Sequence, residues 1–399
     1  MRPLHARRVP PIRFARILAT LAIGVAAAFC AATAAAASDD APALPLVVQD
    51  APDATAPTAA PAPPPPALDA GAAAQPAPGA PQADIALVLP LDSVAYARAA
   101  EAVRDGFLDA ADAAGARGRV NVVAHGGDDV VAAFTRARDA GARVIVGPLV
   151  RDHLKALAMA DVSLPPTIAL NQLDDGTTLP PLIYTLALAV ESDARVIARR
   201  AREDGAMNAS VIESDSPLMR RFAGAFTGEW LLAGGNPPRR FTFSPTPDGL
   251  STLRRDLAAT PADIVVIAVE GSDAALVKSF APRVTSYASA QINQRASIGT
   301  QRDLDDTRVV DLPWLVTPNA PALSRLPHKR YSSVALDRLY ALGIDAFRVA
   351  DAFRGGVPAR FELDGATGHL VLDEGRQIAR AGTLAVFHEG TLVPLDATP

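Results

Sequence analysis

Cysteine is nearly absent. Cys30 is the only one in 399 residues, which rules out an intramolecular disulfide and any cluster of metal-binding thiolates. Lysine is almost as scarce, at positions 155, 278 and 329 alone, and arginine carries nearly all the positive charge. The histidines, at 5, 125, 153, 328, 369 and 388, include no pair at the helical spacing of metal ligands. No Walker phosphate loop, G-x-G-x-x-G turn or G-x-S-x-G elbow occurs. "HGGDD" (125–129) has no nucleophile elbow to accompany it, and reads as a strand-end turn followed by a helix cap in Asp128 or Asp129. Acidic neighbours such as Asp174-Asp175 and Asp305-Asp306 read as solvated loop charges. These absences leave no catalytic residue, no metal ligand and no cofactor to assign, and the chain reads as a non-enzyme.

A long hydrophobic run occurs only at the amino end. Residues 1–16 hold Arg2, Arg7, Arg8, Arg13 and Arg16 with no acid, and an Ala/Leu/Ile/Val-rich run follows from Ile17 to Ala37. A basic segment, an apolar segment and the small residues Ala35-Ala36-Ala37 describe a signal peptide over 1–37. An uncleaved anchor is the alternative, since the run approaches the ~20 residues that span a bilayer. Cys30 is a candidate lipidation site within that run, although Phe29 precedes it where lipoprotein signals place a small residue. Loss of 1–37 removes five arginines and takes the formal charge from −5 to −10. So acidic a chain lacks the basic surface that phosphates require, and no nucleic-acid partner is expected.

Residues 38–82 are mostly Ala, Pro, Asp and Thr, with "APAPPPPA" at 60–67. Such a stretch cannot bury a core and reads as a disordered, semi-rigid tether, ~45 residues with a reach on the order of 100 Å when extended. From Asp84 the texture changes to short apolar strands alternating with amphipathic helices. Strands are expected at 84–91, 119–125, 142–149, 166–171 and 183–188, then, after a restart, at 209–214, 239–244 and 263–269. Helices are expected between them, with a further one over 333–352. The fold class is therefore α/β, two lobes of parallel sheet flanked by helices. Asp364-Gly365, Thr367-Gly368, Glu374-Gly375 and Glu389-Gly390 punctuate alternating runs near the carboxyl end, which predicts antiparallel hairpins there.

In open α/β sheets ligands bind beyond the carboxyl ends of the strands. That rule selects Ser93, Tyr96, Gly147, Pro148, Leu149, Asn171 and Gln172 in the first lobe, and Glu213, Ser214 and Glu270 in the second, as walls of an inter-lobe cleft. A small ligand such as an amino acid would need a charge partner at each end. Arg151 on one wall and Glu213 or Glu270 on the other are candidates, against the plainer reading that these residues cap the following helices. Trp230 and Trp314, set among leucines, read as buried core.

Several stretches resemble a known family. "IALVLPL…AAEAVRDGFLDA", "VIVGPLVR", "PTIALNQ", "FTGEWLLAGG", "YASAQIN", "DLPWLV", "RLYALGIDAFRVA" and "LDGATGHLVLDEGRQIAR" look like the penicillin-binding-protein activators, the LppC/LpoA-type lipoproteins, over roughly Asp84 to Leu395. "GPL" and "DGATG" are shared with the wider type 1 periplasmic-binding-protein fold. The resemblance implies a two-lobed periplasmic protein, held at the outer membrane if lipidated. It would bind a class A penicillin-binding protein and stimulate peptidoglycan synthesis. It also implies crossings between lobes near 188–191, 315–321 and 350–360. The first lobe would then comprise 83–189 plus 320–352, and the second 190–319 plus 353–396. The chain departs from that family in two places. A Pro/Ala tether stands where the best-known activators have a helical-repeat domain, and Leu91-Asp92-Ser93 replaces the frequent Ser-Gly turn.

Overall fold

The computed structural model describes residues 83–173, 177–295 and 301–397. The expected signal peptide, the tether, Cys30 and the acidic pair Asp174-Asp175 lie outside them.

Five parallel strands form the first sheet. They are β1 (Ile85–Leu89), β2 (Val120–Ala124), β3 (Val144–Val146), β4 (Thr167–Ala169) and β5 (Ile183–Thr185), in the order β2-β1-β3-β4-β5. Strand β1 is apolar at every position because both faces of the sheet are covered. Ile85, Leu87 and Leu89 point into one core, and Ala86 and Val88 into the other. Helices α1 (Ala97–Ala113), α2 (Val130–Asp139) and α3 (Arg151–Met159) supply the crossovers. Helix α1 stops at Gly115, which takes φ +64 and donates its N–H to Asp112 O, while Ala116 N–H reaches back to Ala111 O. This double return satisfies the last carbonyls and needs a residue tolerant of positive φ.

The second sheet begins with β6 (Ala209–Glu213), β7 (Arg239–Thr242), β8 (Ile264–Ala268), β9 (Thr285–Ala288) and β10 (Thr307–Asp311), all parallel. It is covered by α4 (Val190–Glu203), α5 (Pro217–Leu232), α6 (Pro247–Ala258) and α7 (Gly271–Phe280), with one core on each face. Strands β9 and β10 were not among the expected elements. The chain then runs through the short helix α8 (Pro313–Val316) into α9 (Val334–Phe353), whose amino end is capped by Ser333 Oγ accepting from Leu336 N–H at 3.3 Å.

The carboxyl-terminal strands are antiparallel, as their turn signals predict, and they divide. Strands β11 (Glu362–Asp364), β12 (His369–Leu372) and β13 (Ile378–Ala381) form a small sheet of their own. Strands β14 (Thr383–His388) and β15 (Thr391–Pro394) extend the second sheet to β15-β14-β10-β9-β8-β6-β7. Ala366, Leu370 and Ile378, from the small sheet, are buried in the core of the first lobe.

Helix α9 packs on α1 almost backbone to backbone. A Cβ on Gly106 would lie 1.9 Å from Tyr340 O, and one on Gly343 would lie 2.1 Å from Val103 O. Main chain cannot give way as a side-chain tip can, so Gly343→Ala is expected to cost about 1–3 kcal/mol in urea unfolding. Gly224, inside α5 with nothing within 4 Å of an added Cβ, is the control. Gly224→Ala should stabilise by about 0.5–1 kcal/mol through helix propensity.

Candidate functional site

Between the lobes lies a cavity of about 450 Å³. Tyr96, Leu149, Asn171 and Gln172 line it from the first lobe, together with Arg151, and Leu218 and Arg221 of α5 face them from the second. Leu188 and Ala189, where the chain crosses between lobes, also line it, as do Leu339 and Leu342 of α9. The other sequence-selected residues do not line the cavity. Ser93 is partly buried and its carbonyl accepts from Tyr96 and Ala97 N–H, which starts α1. Gly147 is buried at φ +121 with a cis bond to Pro148, and a Cβ there would lie 2.3 Å from Val88 O. That turn is a structural joint behind Leu149. In the second lobe Glu213 is paired with Arg240, Ser214 donates its backbone N–H to Ala268 O, and Glu270 is the residue preceding α7.

Asn171, Gln172 and Arg221, which reach the cavity, are already engaged with the protein. Asn171 Nδ2 donates to Leu149 O at 3.0 Å, and its Oδ1 accepts from Gln172 N–H at 2.9 Å. Gln172 Oε1 accepts from Gln377 Nε2 of the small sheet, and Arg221 pairs with Glu191. Sequence reading missed Leu218 and Arg221. Their signal is position, in the first turns of the helix that follows β6.

Buried charge fastens the two lobes to each other. Arg338 of α9 donates from Nε and a terminal nitrogen to both carboxylate oxygens of Asp311, at 3.0 and 2.8 Å, and also to Ala290 O at 2.8 Å. Asn293 adds a bond to Asp311 at 2.9 Å. Arg380 of β13 pairs with Asp193 of α4 at 2.6 Å and donates to Thr367 O at 3.1 Å. The turn holding Thr367 is fixed in turn to α9. Asp345 accepts from Ala366 N, Thr367 N and Thr367 Oγ1 at 2.6–2.8 Å, and a Cβ on Gly365 would lie 2.4 Å from its Oδ2. Arg295 bonds Asp337 on the same side of the molecule. Burial raises the pKa of Asp345 against those bonds.

A larger concavity, about 740 Å³, opens beside Arg295, Trp314, His328 and Lys329 and the β14–β15 turn at Gly390. Trp314 itself is buried, stacked on His328 at 5.1 Å, and Trp230 is buried with Nε1 donating to Asn236 O. Both tryptophans are core, as expected. Among the described residues no group of three or more His, Cys, Asp or Glu side chains is placed to hold a metal, and no helix is long and apolar enough to cross a membrane.

Two α/β lobes joined by crossing segments, with antiparallel strands added at the carboxyl end, make this a type 1 periplasmic-binding-protein-like fold. A LpoA C-domain from Haemophilus influenzae, described as a regulator of PBP1A, superposes with a TM-score of 0.67 at 22% identity, covering 78% of this chain and 99% of that one. A structure from Chromobacterium violaceum, described as a "putative branched-chain amino acid ABC transporter", gives a TM-score of 0.68 at 34% identity over 76% of this chain and 99% of that one. The profile of the family described as "LppC putative lipoprotein" matches residues 78–239 and 251–390. The chain belongs to that family. Its curated relatives include proteins named penicillin-binding protein activator LpoA, from Shigella sonnei at 24% identity over 309 residues and from Haemophilus influenzae at 25% over 283. These alignments cover 66% and 67% of this chain, which spans about half the length of those relatives, 45% and 47%.

Proposed function

We propose that this protein is a non-enzymatic periplasmic activator that binds a class A penicillin-binding protein and thereby stimulates peptidoglycan synthesis. The family match across both lobes, to relatives named as activators, carries the reading. The buried pairs Arg338–Asp311 and Arg380–Asp193 support it, because a stapled pair of lobes makes a better rigid platform for a protein than a closing trap for a solute. Any stimulation arises from binding one conformation of the synthase more tightly than another. Lobe boundaries at 189–190, 319–320 and 352–353 belong to the same proposal, with the small sheet set apart from the expected second-lobe segment 353–396 because its Ala366, Leu370 and Ile378 pack into the first core; so does a lipid on Cys30 holding the protein at the outer membrane. The test adds the purified protein to its cognate class A synthase and measures glycan polymerisation. A higher rate is expected; an unchanged rate, with no crosslink between the two proteins, overturns the proposal.

A second reading has one specific observation behind it, the 34% identity to the Chromobacterium protein and its description. On that reading the inter-lobe cavity holds a branched-chain amino acid against Tyr96, Leu149 and Asn171. Leucine, isoleucine or valine at 100 times its dissociation constant would then stabilise the protein by about 2.7 kcal/mol. Unchanged melting with all three excludes it.

A further inference from the structure

His125 stands at the end of the edge strand β2 and is 1% exposed. Among the described residues neither of its ring nitrogens has a hydrogen-bond partner, nor has Nδ1 of His153. The two imidazoles lie 5.2 Å apart, centre to centre, and Tyr96 stands edge-on to His153 at 6.2 Å. Each ring comes from a different loop of the first lobe. Tyr96 follows β1, His125 follows β2, and His153 sits in the first turn of α3, just after β3. The main chain ties two of these segments, those after β1 and β2, since Asp92 N–H donates to His125 O and His125 N–H to Leu89 O, both at 3.2 Å.

We propose that His125 and His153 form a pH-sensitive latch, which holds these three loops together at neutral pH and releases them in mild acid. Neutral imidazoles can be packed here, at the cost of unpaired nitrogens. An imidazolium would be desolvated and would face a second imidazole. Carboxylates surround the pair, Asp92 from the loop after β1, Asp128 and Asp129 from the loop after β2, and Asp152 from α3, with Arg136 of α2 opposing them. Among the described residues none of these carboxylates is hydrogen-bonded to either ring. Asp129 is committed to Gly126 N–H and Gly127 N–H, and to Arg136 at 3.6 Å. Burial outweighs them and lowers both imidazoles below the ordinary 6.5, with His153 adding to the effect on His125. The closed loops thus bind fewer protons than the open ones, and closure loses stability as pH falls through 6.5. Tyr96 also lines the inter-lobe cavity, so the latch sets the shape of the cleft wall.

The experiment follows hydrogen-exchange protection of the Asp92 and His125 amides at pH 7.5 and pH 5, with imidazole Cε1–H titrations by NMR. Both imidazoles should titrate below 6.5. Protection should fall by about tenfold for each pH unit between 6.5 and each imidazole's measured midpoint, the two effects multiplying where the intervals overlap. His125→Phe keeps the ring bulk without the proton and should reduce the pH dependence to the share of His153, and His153→Phe should reduce it to the share of His125 if the first variant does not fold. Midpoints at or above 6.5, or an equal loss of protection in parent and variant, would overturn the latch.

Discussion

Asp311→Ala is expected to destabilise the protein by about 3–5 kcal/mol, the cost of leaving a buried arginine without its counter-charge. Asp311 is 2% exposed and Arg338 8%. The substitution strips Arg338 of two hydrogen bonds, Asn293 of one and the Leu312 N–H of another. Denaturant unfolding measures the loss directly. Removing both charges, as Asp311→Leu with Arg338→Met, should recover most of it, because an apolar pair of similar volume avoids the desolvation penalty. That double variant also separates stability from function. If the fixed geometry of the lobes is what a partner recognises, it should fold well and bind worse. A loss below about 1 kcal/mol for Asp311→Ala would mean that the lobes are held by packing alone.

The sequence disclosed the architecture wherever local pattern and tertiary environment agree. Strands such as Ile85–Leu89 and Ile264–Ala268 are uninterrupted apolar runs because both their faces are covered, and the helices between them carry one apolar stripe. Strands β9 and β10 escaped because their sequences, "TSYA" and "TRVVD", carry polar and charged side chains that only the folded neighbours satisfy. Ser286 accepts from Lys278 Nζ, and Arg308 reaches Asp204 and the Tyr287 hydroxyl. The candidate site divides in the same way. The strand-end rule found Tyr96, Leu149, Asn171 and Gln172, which share a cavity, because it depends on one sheet. It did not find Leu218 and Arg221, because the approach of a second lobe has no local signature. Nor did it show that Glu213 is spent on Arg240, a cross-strand partner 27 residues away. The buried charges left a faint trace, Arg338 and Asp345, with Arg348, inside the largely apolar "RLYALGIDAFRVA". A charge within such a run needs a buried partner, but only the fold shows which.

Asp193 supplies the second large effect, visible in the pH dependence of stability. Burial lifts its carboxyl from the ordinary 3.8 to about 6, outweighing the attraction of Arg380, with Asp311 pushing in the same direction as burial. The folded protein therefore holds the proton more tightly than the unfolded chain. The associated stability is fully present below pH 3.8 and is lost as pH rises through 6, in total about 3 kcal/mol. His125 and His153 act in the opposite sense, and Asp345 in the same one, so the profile of the parent alone cannot isolate Asp193. Asp193→Asn can, since it keeps an acceptor for Arg380 and cannot ionise. The stability of the parent minus that of Asp193→Asn should fall by about 2 kcal/mol between pH 4 and pH 7. A difference that stays level or rises across that interval would show Arg380 holding Asp193 ionised throughout. The expected fall would instead place a proton-sensitive joint where α4 of the second lobe meets the small sheet, which packs into the core of the first.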